Sequence, residues 1–187
     1  MAKAPRGVDD LQNVFFKIMK FLAALLILFS CLILVVANAH GQRKTIILVR
    51  HAEKDTSETA DPGDPVLTSQ GVERANRLAK QIKRYKIGAV YSTDYKRTRD
   101  TAAPIANRRN LKIEIYDPKK PNELVDAIVK SKIKRFLIVG HSNTIPQLAN
   151  LLVKKEIFKS LDDAEHSVIW VIKIRKGRVS RTEIFDY

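Results

Sequence analysis

Cysteine is nearly absent. The 187 residues hold one, Cys31, and it sits inside an uncharged apolar run near the N-terminus. The rest of the chain therefore has no disulfide, no thiol nucleophile and no cysteine-based metal site, and it must be stabilised by its own core. Aromatic residues are also few, 7% of the chain, and they are scarce in the basic stretches. That composition lacks the stacking platform of a single-strand nucleic-acid binder, and no nucleic-acid partner is expected. Acidic residues are the minority charge, 20 against 34 Lys and Arg, for a net charge of +14. Such a surface attracts polyanions or anionic membranes and steers phosphorylated ligands, although a solvated basic face fits the same balance. No internal repeat or low-complexity tract is present, and nothing sets an oligomeric state.

The longest hydrophobic run covers residues 21–37, FLAALLILFSCLILVVA. Lys17 and Lys20 precede it, and Ala37-Asn38-Ala39 follows as a small-x-small pattern. Basic, apolar and cleavage regions in that order describe a secretory signal peptide. The run is slightly shorter than the roughly 20 residues of a spanning helix, so an uncleaved anchor is the alternative. Residues 1–39 are thus expected to be a signal peptide or N-terminal anchor, and 40–187 a separate domain. The domain is expected in the periplasm or secreted, or else anchored and facing outside the cytoplasm. Met19 is the only methionine besides Met1, and a start there gives a more compact leader.

From residue 44 onward, strand-like and helix-like segments alternate. Thr45-Ile46-Ile47-Leu48-Val49 and Phe136-Leu137-Ile138-Val139 are continuous apolar runs of strand length, as buried parallel strands require. Shorter strands are predicted at 89–92 and 112–116. Helices are predicted at 68–85, 95–109, 122–131 and 144–153. The first carries Val72, Ala75, Leu78, Ala79 and Ile82 on one face, and the second is capped by Thr93 or Asp94. The third carries Leu124, Val125, Ile128 and Val129. Segments 167–173 and 179–185, joined through Lys176-Gly177-Arg178, read as an antiparallel hairpin at a sheet edge. The expected fold is α/β, with a mostly parallel sheet covered by helices.

In such sheets ligands bind outside the carboxyl ends of the strands. There the chain places Arg50-His51, then Ser92 with Arg97 one turn into a helix, then Gly140-His141-Ser142. Arginine's planar fork can hold two phosphoryl oxygens, and a helix N-terminus adds backbone donors. Neutral imidazole is a competent nucleophile towards phosphorus, and a protonated second histidine can donate to the same oxygens. His40 and His166 lack such a context and read as surface or core residues, and Trp170 reads as core.

The segment Leu48-Val49-Arg50-His51-Ala52-Glu53 resembles the signature of the histidine phosphatase superfamily, the phosphoglycerate-mutase-like fold. The similarity extends through Leu67-Thr68-Ser69-Gln70-Gly71, the Ser92 to Ala102 segment with Arg97 and Thr101, and Val139-Gly140-His141-Ser142. These motifs stand in the family's order across 45–145. The resemblance implies a three-layer α/β/α sandwich without metal or organic cofactor. It also implies that His51 is the residue phosphorylated in turnover, within a pocket of Arg50, Arg97 and His141. Ser92 would shape the turn to Arg97, and Ser92 and Ser142 would contact substrate. One departure concerns the proton donor, because the Glu-rich segment many members carry after the third strand is missing. Asp117, Glu123 and Glu53 are candidates, with Asp55 beside them.

The expected activity is hydrolysis of a phosphomonoester or phosphoramidate through a phosphohistidine. The substrate would be a small phosphorylated molecule or a phosphorylated surface glycan or lipid. A non-catalytic binder of such ligands is the alternative from another class. A phosphomutase ranks lower, because the short chain leaves little lid. Loops 54–66 and 154–166 are where specificity would lie.

Overall fold

Strand β1 (Lys44–Arg50) is buried along nearly its whole length, so neither face of it reads as polar. Its alternate side chains enter two separate cores. Ile46 and Leu48 face one, with Phe136, Ile138, Leu124, Ile128, Ile145 and Leu148. Ile47 and Val49 face the other, with Leu137, Val139, Leu78, Ile82, Ala102 and Ile105. A strand that buries both faces needs helices on both sides of its sheet.

The computed structural model describes residues 7–38 and 43–187, with side chains over 14–30 and 43–187. The chain divides into two units, 1–41 and 42–187. The first contains α1 (Gly7–Asn38). Every large apolar side chain from Phe15 to Phe29 is more than half exposed. Among the described residues no helix is long and apolar enough to cross a membrane. The Cys31 side chain, the Ala37-Asn38-Ala39 pattern and His40 lie outside the described side chains.

The second unit runs β1, α2 (Ser69–Gln81) with a 3-10 turn (Ile82–Tyr85), β2 (Ala89–Ser92), α3 (Lys96–Arg109) and β3 (Ile113–Ile115). It continues through α4 (Pro121–Lys130), β4 (Arg135–Gly140), α5 (Thr144–Val153), β5 (Val168–Arg175) and β6 (Arg178–Asp186). The sheet order is β3-β2-β4-β1-β5-β6. The pairs β3-β2, β2-β4 and β4-β1 are parallel, whereas β5 runs antiparallel to both β1 and β6. Helices α2 and α3 cover one face, α4 and α5 the other, as the two cores show. This is the expected three-layer sandwich with its closing hairpin, turned at Lys176-Gly177, both residues with positive φ. That is the type I′ geometry favoured between two twisted strands.

Several local expectations are corrected. Val72 is 49% exposed. The buried face of α2 runs through Gly71, Ala75, Leu78 and Ala79, which turns Val72 about one residue's rotation outward. Val129 of α4 is exposed for the same reason, while Leu124 and Ile128 are buried. Helix α3 is not capped by Thr93 or Asp94. Its N-cap is Tyr95, without a side-chain cap, and Asp64 Oδ1 from the preceding loop accepts the Lys96 N–H at 2.7 Å.

Helix α2 starts at Thr68, whose hydroxyl accepts the Gly71 N–H at 3.0 Å. Gly71 lies against the backbone that follows β1, and a Cβ there would sit 2.3 Å from the Glu53 carbonyl oxygen. Backbone cannot yield as a side-chain tip does. Gly71→Ala is therefore expected to destabilise the domain by roughly 1–3 kcal/mol, despite the better helix propensity of alanine. Urea denaturation of the variant checks this; an unchanged midpoint would contradict the packing.

Candidate active site

Parallel register brings the chemistry together. Arg50 pairs with Gly140, and the His51 N–H donates to the Gly140 carbonyl at 2.9 Å, so the residues ending β1 and β4 lie side by side. The His51 and His141 rings meet edge to face with centroids 5.5 Å apart. Ser92 pairs with Val139, so the chain leaving β2 reaches the same place. A cavity of about 620 Å³ opens there, and Arg50, His51, Arg97, His141 and Ser142 all line it. A second of about 450 Å³ adjoins it, bounded by Tyr95, Lys119, Gln147 and again Arg97 and His141.

His51 is 4% exposed, and its Nδ1 lies 2.8 Å from the Ala52 carbonyl oxygen. A carbonyl only accepts, so Nδ1 carries the hydrogen and Nε2 keeps the lone pair. Burial, with the nearby cationic arginines, pushes the His51 pKa down to about 3, which leaves the ring neutral at pH 7. The Ala52 carbonyl is itself held in place. The Ala52 N–H donates to Thr101 Oγ1 at 3.0 Å, and that hydroxyl donates to the Arg97 carbonyl at 2.7 Å. Helix α3 thereby sets the orientation of the His51 ring.

A second chain orders His141. The Thr98 hydroxyl donates to the carbonyls of Thr93 and Tyr95, at 2.9 and 2.8 Å, which leaves its oxygen to accept from Thr93 Oγ1 at 3.0 Å. Thr93 Oγ1 is then an acceptor for His141 Nε2–H at 3.0 Å. Burial and the two pocket arginines push the His141 pKa down to about 4. Both effects favour the neutral ring at pH 7. A phosphoryl dianion between the arginines would offset the part of this shift that the cations cause.

Arg50 is 5% exposed, and its Nη1 donates to the carbonyls of Asp162 and Glu165 at 2.7 and 3.1 Å. Arg97 packs with its guanidinium 4.2 Å from the Tyr95 ring centre and 3.9 Å from Asp64. The Nε atoms of both arginines are buried without a protein acceptor. The 154–166 and 54–66 loops thus each hold one pocket arginine.

The remaining candidates divide. Ser92 is fully buried, its hydroxyl donates to the Thr93 carbonyl, and it does not line the cavity. It shapes the turn that leaves β2. Glu53 does line the cavity, but Arg74 grips its carboxylate with Nε and Nη2, at 2.6–2.9 Å. Burial alone would raise its pKa; the Arg74 bonds outweigh that and hold it below the usual carboxylate range. Glu123 pairs with Lys120 on the surface of α4, and Asp117 accepts the Lys119 N–H. Neither lines either cavity. Asp55 is half-buried and closes a turn by accepting the Ser57 N–H. Among the described residues, no group of three or more His, Cys, Asp or Glu is placed to hold a metal ion.

Residues 46–118 match the model of the histidine phosphatase superfamily, branch 1. A curated relative, phosphoserine phosphatase 1 of Hydrogenobacter thermophilus, is 37% identical over 71 residues, which is 36% of this chain and 34% of that protein. The match spans about a third of that relative's length. Solved structures share the fold over nearly their whole length. The protein histidine phosphatase SixA, complexed with tungstate, aligns at a TM-score of 0.61 and 16% identity, covering 76% of this chain and 96% of that one. A mycobacterial glucosyl-3-phosphoglycerate phosphatase aligns at 0.59 and 12%, covering 78% and 99%. Of the motifs read from the sequence, those holding Arg50-His51, Arg97 and His141-Ser142 supply residues to the cavity, whereas the 67–71 motif begins α2 and does not line it. His166 was not among the site residues read from the sequence, and the 92–102 motif contained Thr93, Thr98 and Thr101 without showing their bonds to the two histidine segments.

Proposed function

We propose that the domain is a phosphatase that passes the phosphoryl group of a small phosphorylated substrate to His51 and then to water. The observation that carries this reading is the tautomer of His51: a buried neutral ring with its Nε2 lone pair free, beside two arginines and a second histidine in one cavity. His51 Nε2 attacks phosphorus, the P–O bond breaks, and the leaving oxygen takes a proton. Arg50 and Arg97 neutralise the charge spread over the phosphoryl oxygens. Water then attacks phosphorus and the P–N bond breaks, returning its electron pair to Nε2.

The apolar N-terminal run supports a site of action outside the cytoplasm, with the leader cleaved or retained as an anchor. The test is turnover of phosphomonoesters by the purified protein, with phosphate release as the readout. Hydrolysis of aryl and alkyl phosphates is expected. Tight binding of inorganic phosphate without any turnover would instead establish a non-catalytic binder.

A further inference from the structure

The leaving oxygen needs a proton, and among the described residues neither carboxylate that lines the cavity is placed to give one. Glu53 is held ionised by Arg74. Asp163 lines the cavity, but its side chain is fully exposed and faces Arg50 at 3.7 Å. Glu123 and Asp117 lie elsewhere. The one further titratable ring in the cavity is His166.

Three features make it more than a bystander. Its Nδ1 lies 2.9 Å from the His51 carbonyl oxygen, so Nδ1 carries a hydrogen and Nε2 is the nitrogen that titrates. Its ring centre is 5.7 Å from that of His51. It also follows directly on Glu165, whose carbonyl binds Arg50, so the same short segment fixes the ring and the guanidinium. The charged groups facing it are Arg50 and Arg74, which favour the neutral ring, and Glu53, which favours the protonated one.

We propose that His166 is the proton-transfer residue of this site, an inference that rests on the phosphatase reading above. Protonated at Nε2, it gives its proton to the leaving oxygen as the P–O bond breaks. Neutral, it accepts a proton from the water that attacks the phosphohistidine, and it is then charged for the next cycle. One water is consumed, one alcohol and one phosphate leave, and no other reactant is needed. Burial, the first cause, together with the arginines lowers the His166 pKa, against the His51 backbone bond and Glu53, which raise it.

The test uses the full chain with His166→Asn, which keeps an amide donor near Nδ1 and removes the titrating nitrogen, and with His166→Ala. An alkyl phosphate has a leaving group that must be protonated; p-nitrophenyl phosphate does not. In His166→Asn, kcat/KM for the alkyl ester is expected to fall by about 10²–10³ while that for the aryl ester changes little. The basic limb of the alkyl kcat/KM pH profile should also flatten, and added imidazole should restore part of the alkyl turnover of His166→Ala. Equal losses on both esters with an unshifted pH profile would overturn the inference and leave His166 as a support for the His51 backbone. Unchanged kinetics on both would also overturn it. A wild-type protein inert on both esters would instead overturn the phosphatase reading, and this inference with it.

Discussion

Replacing His51 with Asn is expected to abolish turnover, lowering it by more than about 10⁴-fold, while inorganic phosphate still binds. The choice of asparagine follows from the geometry. The His51 ring donates from Nδ1 to the Ala52 carbonyl at 2.8 Å, and an asparagine amide supplies a donor at nearly the same place. What is lost is Nε2, the atom with the free lone pair. Arg50 keeps its anchors on the carbonyls of Asp162 and Glu165, and Arg97 keeps Tyr95 and Asp64, so the anion pocket persists. Wild-type protein quenched in base during turnover should retain phosphate on His51, and acid should release it, as a P–N bond requires. His51→Asn should retain none. A variant that still turned over an aryl phosphate within tenfold of wild type would remove His51 from the chemistry.

The main lines of this site were legible in the sequence because burial on both faces of a strand leaves a plain record. The runs ending at Val49 and Val139 have no polar alternation, so the polar residues that follow them mark strand ends facing a ligand. The register then does the rest, since Arg50 opposite Gly140 makes neighbours of His51 and His141. What the sequence did not disclose is whatever depends on contacts between distant segments. His166 bonds to a residue 115 positions away, and Thr93 to one 48 positions away. The donor at the start of α3 is satisfied by Asp64, 32 residues earlier, and local capping rules pointed instead to Thr93 or Asp94. The pairing of Glu53 with Arg74 decides the state of a carboxylate that by position alone was a candidate acid. In each case the residue type was visible and its partner was not.

The cost of holding neutral histidines in such a pocket should appear as acid sensitivity of folding. The pKa of His51 falls from 6.5 to about 3 on folding, so below pH 6.5 the unfolded chain takes up a proton that the folded chain refuses. Stability is full above pH 6.5 and declines as pH falls towards 3, by about 1.4 kcal/mol per pH unit and on the order of 5 kcal/mol in all. His141, with a pKa near 4, acts in the same direction, reduced because solvent screens it more. The carboxylate of Glu53 has the same sign of linkage in a lower window: its folded pKa is lowered, so its contribution is lost only as pH falls below the usual 4.5. The window from pH 6.5 to 4.5 therefore isolates the histidines of this set. Urea midpoints across that window should fall in the wild type and fall less steeply in His51→Asn, by close to one proton's slope. Inorganic phosphate should flatten the wild-type curve as well, because a bound anion lifts the histidine pKa values and stabilises the folded state by mass action. Parallel slopes in the two proteins would mean that the ring is not held neutral. The nucleophile would then need to lose a proton before each attack, and the lone pair on Nε2 would no longer be a property of the fold.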